Sequence, residues 1–110
     1  MRKLLLIVDD WEALEVYEGR FLPHFEVICA PFGSEGIRIA EEMKPDLILL
    51  DLVFEDMSPE EGLESLKSNP LTQSIPVFVI VETPLESPAP RVVSFSRPYD
   101  FSELLRIMKV

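Results

Sequence analysis

Residues 47–51 read LILLD, a short apolar run that ends in an acid. Two further apolar runs also end in charged residues: residues 4–10 read LLLIVDD and end in two acids, and residues 92–97 read VVSFSR and end in an arginine. Runs rich in Val, Ile and Leu without polar alternation predict strands that are buried on both faces, as in parallel sheets. Ligands bind parallel sheets beyond the carboxyl ends of the strands. The sequence therefore predicts a functional site at the edge where the acids and the arginine of these segments meet.

The composition is that of a single soluble globular domain of 110 residues, with 47% hydrophobic and 27% charged residues. The formal net charge is -10, from 20 acidic against 10 basic residues, so nucleic-acid phosphates and anionic membranes would repel the chain. The longest apolar stretches are too short to span a bilayer, and the first residues lead into a strand instead of a signal peptide. Cys29 is the only cysteine, which excludes an internal disulfide. We therefore expect a cytoplasmic protein that binds neither nucleic acid directly nor a membrane.

Strand and helix patterns alternate along the chain. The five strands are expected at residues 3–8, 25–29, 46–50, 75–81 and 91–95. Helices are expected at residues 11–20 and 34–43, between Ser58 and Asn69, and from Asp100 onward. Ser34 is a predicted N-cap, and Asp100 forms a predicted capping box with Glu103. This alternation predicts a doubly wound α/β fold with a five-stranded parallel sheet.

One segment interrupts the alternation. Residues 82–90, between the fourth and fifth strands, contain three prolines, at positions 84, 88 and 90. Proline in a helix interior costs about 3 kcal/mol, because it lacks an N–H and clashes with the preceding turn. The fourth helix of the alternation is therefore predicted to be shortened or missing.

The acids at the strand ends have a specific chemistry. Asp9 and Asp10 leave the first strand together and Asp51 leaves the third, and such hard oxygen ligands suit Mg2+. A carboxylate such as that of Asp51 can attack phosphorus and form an acyl phosphate, while Arg97 can contact a phosphate oxygen. In the alternative interpretation, Asp9 and Asp10 only cap a helix and Asp51 only ends a strand. The combination of all three acids at matching strand ends favours a functional site.

Several motifs are shared with one family. Residues 6–10 (LIVDD), 45–52 (PDLILLDL) and 97–100 (RPYD) carry the resemblance, and residues 33–36 (GSEG) and 56–59 (DMSP) fit it. On these motifs the chain resembles, over nearly its full length, a response-regulator receiver domain of two-component signalling, of the chemotaxis-regulator type. The resemblance implies a flavodoxin-like fold and a single receiver domain over residues 1–110, with no effector domain.

The resemblance also implies roles for individual residues. Asp9, Asp10 and Asp51 would bind Mg2+ together with the backbone carbonyl of Val53. Asp51 would accept a phosphoryl group from a sensor histidine kinase or phosphotransfer protein, and Arg97 would contact it. Enzymatic activity would be limited to self-phosphorylation and slow self-dephosphorylation. The signal would pass to a downstream protein target, and a homodimer through the fifth strand and last helix is compatible with the family.

The chain departs from the family pattern around the phosphoryl position. Where the family has Thr or Ser followed by a small residue, this chain has Val81 and Glu82, although Thr83 could supply the hydroxyl if the strand ran two residues further. The usual Lys is Arg97, and the usual aromatic switch residue is Ser94. These departures indicate a divergent receiver.

Two alternatives remain open from the sequence. A pseudo-receiver would keep the fold and bind a protein partner without phosphorylation, and Glu82 and the missing Thr favour it. A magnesium-dependent phosphohydrolase would use Asp51 as nucleophile, but its general acid would be expected two residues later, where Val53 stands.

Overall fold

The computed structural model describes residues 1–53, 57–82 and 90–110. Its five strands are β1 (Lys3–Val8), β2 (Glu26–Ala30), β3 (Leu47–Asp51), β4 (Val77–Val81) and β5 (Val92–Ser96). Within the described ranges its helices are α1 (Trp11–Phe21), α2 (Gly33–Met43), α3 (Pro59–Lys67) and α4 (Phe101–Met108). All strand pairs are parallel, in the order β2-β1-β3-β4-β5. The doubly wound, flavodoxin-like α/β fold is therefore confirmed.

The two faces of the sheet carry separate apolar layers. Leu4, Leu6 and Leu49 lie in one layer with residues of α1 and α4, while Leu5 and Leu50 lie in the other layer with residues of α2 and α3. Alternate residues of one strand thus enter opposite layers, as the pleat of a strand requires. All five side chains are fully buried. This explains why the central strands are continuously apolar instead of alternating with polar residues.

The connection between β4 and β5 agrees with the prediction of a shortened or missing fourth helix. Its described residues, Glu82, Pro90 and Arg91, are not helical, and α4 is the helix that follows β5. Thr83, the candidate hydroxyl donor, lies outside the described residues. None of the helices in the described part of the chain is long and apolar enough to cross a membrane.

The predicted start of α2 is wrong. Phe32 is the N-cap, without a side-chain hydrogen bond, and Gly33 is the first helical residue, so Ser34 lies inside the helix. The reason is that the N–H of Gly36 donates to the carbonyl of Phe32 at 2.9 Å, so the helical hydrogen bonds begin before Ser34. This helix also packs closely against other parts of the molecule. A Cβ at Gly36 would lie 2.6 Å from side-chain carbons of Ile7, and one at Gly33 would lie 2.8 Å from the sulfur of Met57. Glycine is favoured most strongly at position 36, where a side chain would push the helix away from β1, whereas the flexible end of Met57 can move away from a side chain at position 33.

The ends of α3 and α4 follow their sequence signals to different degrees. Ser58 and Glu61 form a complete capping box at the start of α3, as the Ser-Pro signal indicates. At the start of α4, Asp100 accepts a hydrogen bond from the N–H of Ser102 at 2.9 Å. The predicted capping box is wrong there, because Glu103 pairs with Arg106 on the same helix instead. Asp100 still supplies the cap by itself.

The strand register brings the candidate residues to one edge. Val8 is the β-sheet partner of Asp51, so Asp9 directly follows a residue that lies beside Asp51. Val81 is the partner of Ser96, so Glu82 and Arg97 both leave the sheet at the same level. The carboxyl ends of four strands therefore meet around Asp51.

Candidate functional site

Asp51 is a charged group inside the apolar core. It ends β3 with only 2% of its surface exposed. The hydroxyl of Tyr17 donates a hydrogen bond to its Oδ2 at 2.8 Å, and the Nη2 of Arg97 donates to its Oδ1 in a close ion pair. A buried carboxylate without partners would cost several kcal/mol or take up a proton. Both oxygens of Asp51 are therefore bonded to the protein in this structure.

Arg97 connects the buried acid to the surface. Its Nη1 lies 3.5 Å from Oε1 of Glu82, whose side chain is 82% exposed. Partial burial lowers the pKa of Arg97, but the hydrogen bond to Asp51 and the neighbouring negative charges outweigh this, so the pKa is raised. Glu82 thus contacts Arg97, the cation of the site. Its position in the sequence, beside the expected phosphoryl group, does not predict this contact.

Tyr17 and Tyr99 form a pair of hydroxyls beside Asp51. The two hydroxyls are hydrogen-bonded to each other, and that of Tyr17 also bonds Asp51. Burial, followed by the charge of Asp51, strongly raises the pKa of Tyr17, so this phenol stays protonated and acts as a donor. Burial also raises the pKa of Tyr99. Neither tyrosine is predicted as a site residue from the sequence; the one signal for the pair is that a tyrosine on the buried face of a helix needs a partner for its hydroxyl.

The two acids after β1 each accept a hydrogen bond from a backbone N–H. Oδ1 of Asp9 accepts the N–H of Val53 at 2.9 Å, which links the loop after β3 to the end of β1. Oδ1 of Asp10 accepts the N–H of Glu12 at 3.1 Å and so caps α1. In this structure Asp10 therefore has the structural role of a helix cap, which was one of the two interpretations of the acid pair.

The donor atoms at this edge suit Mg2+ in kind. Asp9, Asp10 and Asp51 offer hard carboxylate oxygens, and the bond between Asp9 and Val53 brings a backbone segment with a further carbonyl close by. Over residues 1–53, 57–82 and 90–110, however, no group of three or more His, Cys, Asp or Glu side chains is arranged to hold a metal ion. The residues fit the ion by chemistry, while their side chains are engaged with protein partners.

The positions that depart from the family pattern are also defined by the structure. Val81 is buried in the apolar layer beside α2 and α3. Its side chain has no hydroxyl to offer a phosphoryl group. Ser94 is half-buried in β5, paired with Val79. Phe95 packs against the other layer, and its ring meets that of Tyr99 edge-on at 6.3 Å.

Two cavities flank Asp51. The first, here called the α1–α4 groove, has a volume of about 440 Å³ and is lined by Asp10, Tyr17, Arg20, Tyr99 and Phe101 among others. The second, of about 280 Å³, is lined by Val53, Ser58, Glu82 and Arg97 among others. Tyr17 and Tyr99 line the first cavity and Arg97 lines the second, so the two residues bonded to Asp51 border different cavities.

Comparison with known proteins shows what the chain is similar to. The transcriptional regulatory protein LiaR of Bacillus subtilis is 40% identical over 81 residues, which are 70% of this chain and 37% of LiaR. Protein PilH of Pseudomonas aeruginosa is 30% identical over 79 residues, which are 69% of this chain and 64% of PilH. The solved receiver domain of the P. aeruginosa sensor histidine kinase PA1611 matches with a TM-score of 0.82 and 18% identity, over 98% of this chain and 94% of that one. No protein-family model matches the chain.

The fold and these similarities identify the chain as a divergent receiver domain of the response-regulator class. Receiver domains of this class act in phosphorelay signalling. The match with PA1611 supports the fold alone, because its sequence identity is low. The matched segment spans 37% of the length of LiaR and 64% of that of PilH, so the activities of those whole proteins do not transfer directly.

Proposed function

We propose that the chain is a receiver that accepts a phosphoryl group on Asp51 with Mg2+ and signals through protein–protein contacts. The observation that carries this proposal is the buried carboxylate of Asp51 at the carboxyl end of β3, bonded to the guanidinium of Arg97. Asp9 and Asp10 stand beside it at the end of β1. A carboxylate, a cation and two further acids at one sheet edge support this proposal.

The reaction needs few groups beyond these. A carboxylate oxygen of Asp51 attacks the phosphorus of a phosphohistidine, the P–N bond breaks, and an acyl phosphate remains on Asp51. Arg97 is always charged and has several donors, so it can stay near the carboxylate and contact an oxygen of the transferred group. Thr83 would supply a hydroxyl to that group. The donor of the phosphoryl group would be a sensor histidine kinase or a phosphotransfer protein.

A bound Mg2+ would neutralise negative charge on the transferred group. Asp9, Asp10, Asp51 and the backbone carbonyl of Val53 would hold it. The solved receiver domain of PA1611 is described with a magnesium ion coordinated in its active site cleft. In this chain the side chains of Asp10 and Asp51 would have to exchange protein hydrogen bonds for the ion, because one caps α1 and the other is bonded to Arg97 and Tyr17.

The output would be read by a downstream protein target, and a homodimer through β5 and α4 is a second route. The acidic net charge of -10 argues against direct binding to nucleic acid. Catalysis would not go beyond self-phosphorylation and slow hydrolysis of the acyl phosphate, since an apolar side chain, that of Val53, stands where a phosphohydrolase of similar fold has its general acid.

A pseudo-receiver is the second candidate, and specific observations favour it. Both oxygens of Asp51 are already bonded to protein groups, and the described residues hold no assembled metal cluster. Val81 adds no hydroxyl to the site. In that case the domain would bind its protein partner whether or not a phosphoryl donor is present.

Intact-mass measurement distinguishes the two functions. The protein is incubated with Mg2+ and phosphoramidate, a small donor that replaces the unknown kinase. We expect one phosphoryl adduct on the wild type and none on Asp51→Asn. Asp46→Asn is the matched control, because Asp46 lies at the opposite edge of the sheet, where its carboxylate accepts the N–H of Lys3 at 2.7 Å. An adduct that persists on Asp51→Asn, or no adduct on the wild type, would refute the proposal.

A further inference from the structure

Tyr17 holds the second oxygen of the proposed acceptor. Its hydroxyl lies 2.8 Å from Oδ2 of Asp51, while Oδ1 is occupied by Arg97. An oxygen that accepts a hydrogen bond from a fixed donor has less of its electron density available for attack on phosphorus. Each of the two donors therefore lowers the reactivity of the carboxylate oxygen that it binds.

The position of the Tyr17 hydroxyl is fixed by packing on both sides. The side chain is 6% exposed, and its ring stacks on that of Phe21 with centroids 6.1 Å apart. On the other side its hydroxyl bonds that of Tyr99, whose ring in turn meets Phe95. A phenylalanine at position 17 would keep the ring packing and lose the two hydroxyl contacts, to Asp51 and to Tyr99. The hydroxyl is thus a separable feature of an otherwise apolar helix face.

Both donors to Asp51 depend on one short segment. Arg97 contacts Asp51 directly, and Tyr99, two residues later, contacts it through Tyr17. Tyr99 also lines the α1–α4 groove, so it is accessible from outside the core. A displacement of residues 97–99 would therefore loosen the contacts at both oxygens of the carboxylate together.

We infer that Tyr17 is a positioning residue that restrains Asp51, and that the hydrogen bond from its hydroxyl to Oδ2 slows the transfer of a phosphoryl group to this carboxylate. Tyr99 fixes Tyr17 in the restraining position. This inference rests on the proposed function, since it concerns the reactivity of the same carboxylate. The free energy that a hydrogen bond to a charged acceptor contributes to stability corresponds to a change in rate of about tenfold to hundredfold.

The test compares rates of phosphorylation by phosphoramidate, in which the oxygen of Asp51 bonds to phosphorus while the P–N bond breaks and ammonia leaves. Tyr17→Phe should be labelled at least about tenfold faster than the wild type, within the range expected for such a bond. Tyr99→Phe should show a smaller acceleration. Phe21→Leu is the control, because it loosens the packing of the same helix face but keeps the hydroxyl, and it should not accelerate labelling.

The outcomes separate this inference from the proposed function. Labelling of Tyr17→Phe at or below the wild-type rate, with the wild type labelled, overturns the restraint and leaves the receiver function standing. Equal acceleration by Phe21→Leu also overturns it, since general loosening would then explain the effect. Label on Tyr17→Phe with none on the wild type supports the restraint but refutes the proposed function of the unaltered chain. If none of the proteins is labelled, both proposals are refuted, because removal of the restraint then frees no acceptor.

Discussion

Replacing Arg97 with methionine would remove the cation from a buried ion pair. Loss of one partner of such a pair costs about 3–5 kcal/mol, because the remaining charge is left without compensation. Two features of this site reduce the expected cost. The Arg97 side chain is 34% exposed, so the pair is partly screened by water, and the Tyr17 hydroxyl still donates to Asp51 in the variant. We therefore expect a loss of about 2–3 kcal/mol in the free energy of unfolding.

The size of the pairwise interaction comes from a double-mutant cycle with Asp51→Asn. Asparagine keeps a similar shape and removes the charge, so Arg97→Met should cost only about 1 kcal/mol in that background. The coupling between the two residues would then be about 1–2 kcal/mol. Arg38→Met is the matched control, because Arg38 pairs with Glu42 on an exposed helix face at 3.0 Å and should contribute at most about 0.5 kcal/mol.

Urea denaturation followed by far-UV circular dichroism measures these free energies, and the m-value checks that the compactness of the denatured state is unchanged. For a domain of this size, a loss of 2–3 kcal/mol corresponds to a fall in Tm of roughly 8–12 °C. Equal costs for Arg97→Met and Arg38→Met, or strict additivity in the cycle, would show that Asp51 does not depend on Arg97 for compensation of its charge.

Two further predictions concern packing and pH. Gly36→Ala should lower the free energy of unfolding by about 1–3 kcal/mol in urea denaturation, because the new Cβ would lie 2.6 Å from Ile7. Gly19→Ala should raise it by about 0.5–1 kcal/mol, because nothing lies within 4 Å of a Cβ at that position in α1. A change in the same direction for both variants would contradict the packing argument. Burial and the charge of Glu18 raise the pKa of Cys29 from 9.0 to about 11. Since the pKa is raised in the folded state, the thiol contributes stability below pH 9 that is lost as the pH rises towards 11. At pH 8, iodoacetamide should therefore alkylate the folded protein about a hundredfold more slowly than the protein unfolded in urea. Glu18→Gln should speed this alkylation, and an unchanged rate would show that access alone limits it.

The extent to which the sequence predicts this structure depends on how local each signal is. The strand β1 lies where its apolar run indicates, because burial of five consecutive residues on both faces leaves no other placement. The start of α3 also follows its signal, since Ser58 and Glu61 satisfy each other's backbone groups within one turn. Such elements are determined by neighbours in the chain, and the fold class follows from their order.

Features that depend on distant contacts could not be predicted in the same way. The close approach of α2 to the sheet at Gly36 depends on Ile7, a residue of β1 that is distant in the sequence. The carboxylate of Asp51 was predicted as a site residue, but its bond to Tyr17 joins residues 34 positions apart. That contact exists only because the packed layers bring α1 over the end of β3. Sequence patterns therefore identify the acids and leave their partners undetermined.

The helix α1 also fixes the distance between Asp10 and Tyr17. Asp10 caps its first turn at the end of β1, and Tyr17 lies seven residues later, beside Asp51 at the end of β3. At about 1.5 Å per residue, this separation is about 10 Å along the helix axis. Each residue added to or removed from this stretch would also rotate Tyr17 by about 100° around the axis, out of the buried face. The first two turns of α1 therefore tolerate substitutions of exposed residues, but an insertion or deletion in them would move Tyr17 away from Asp51.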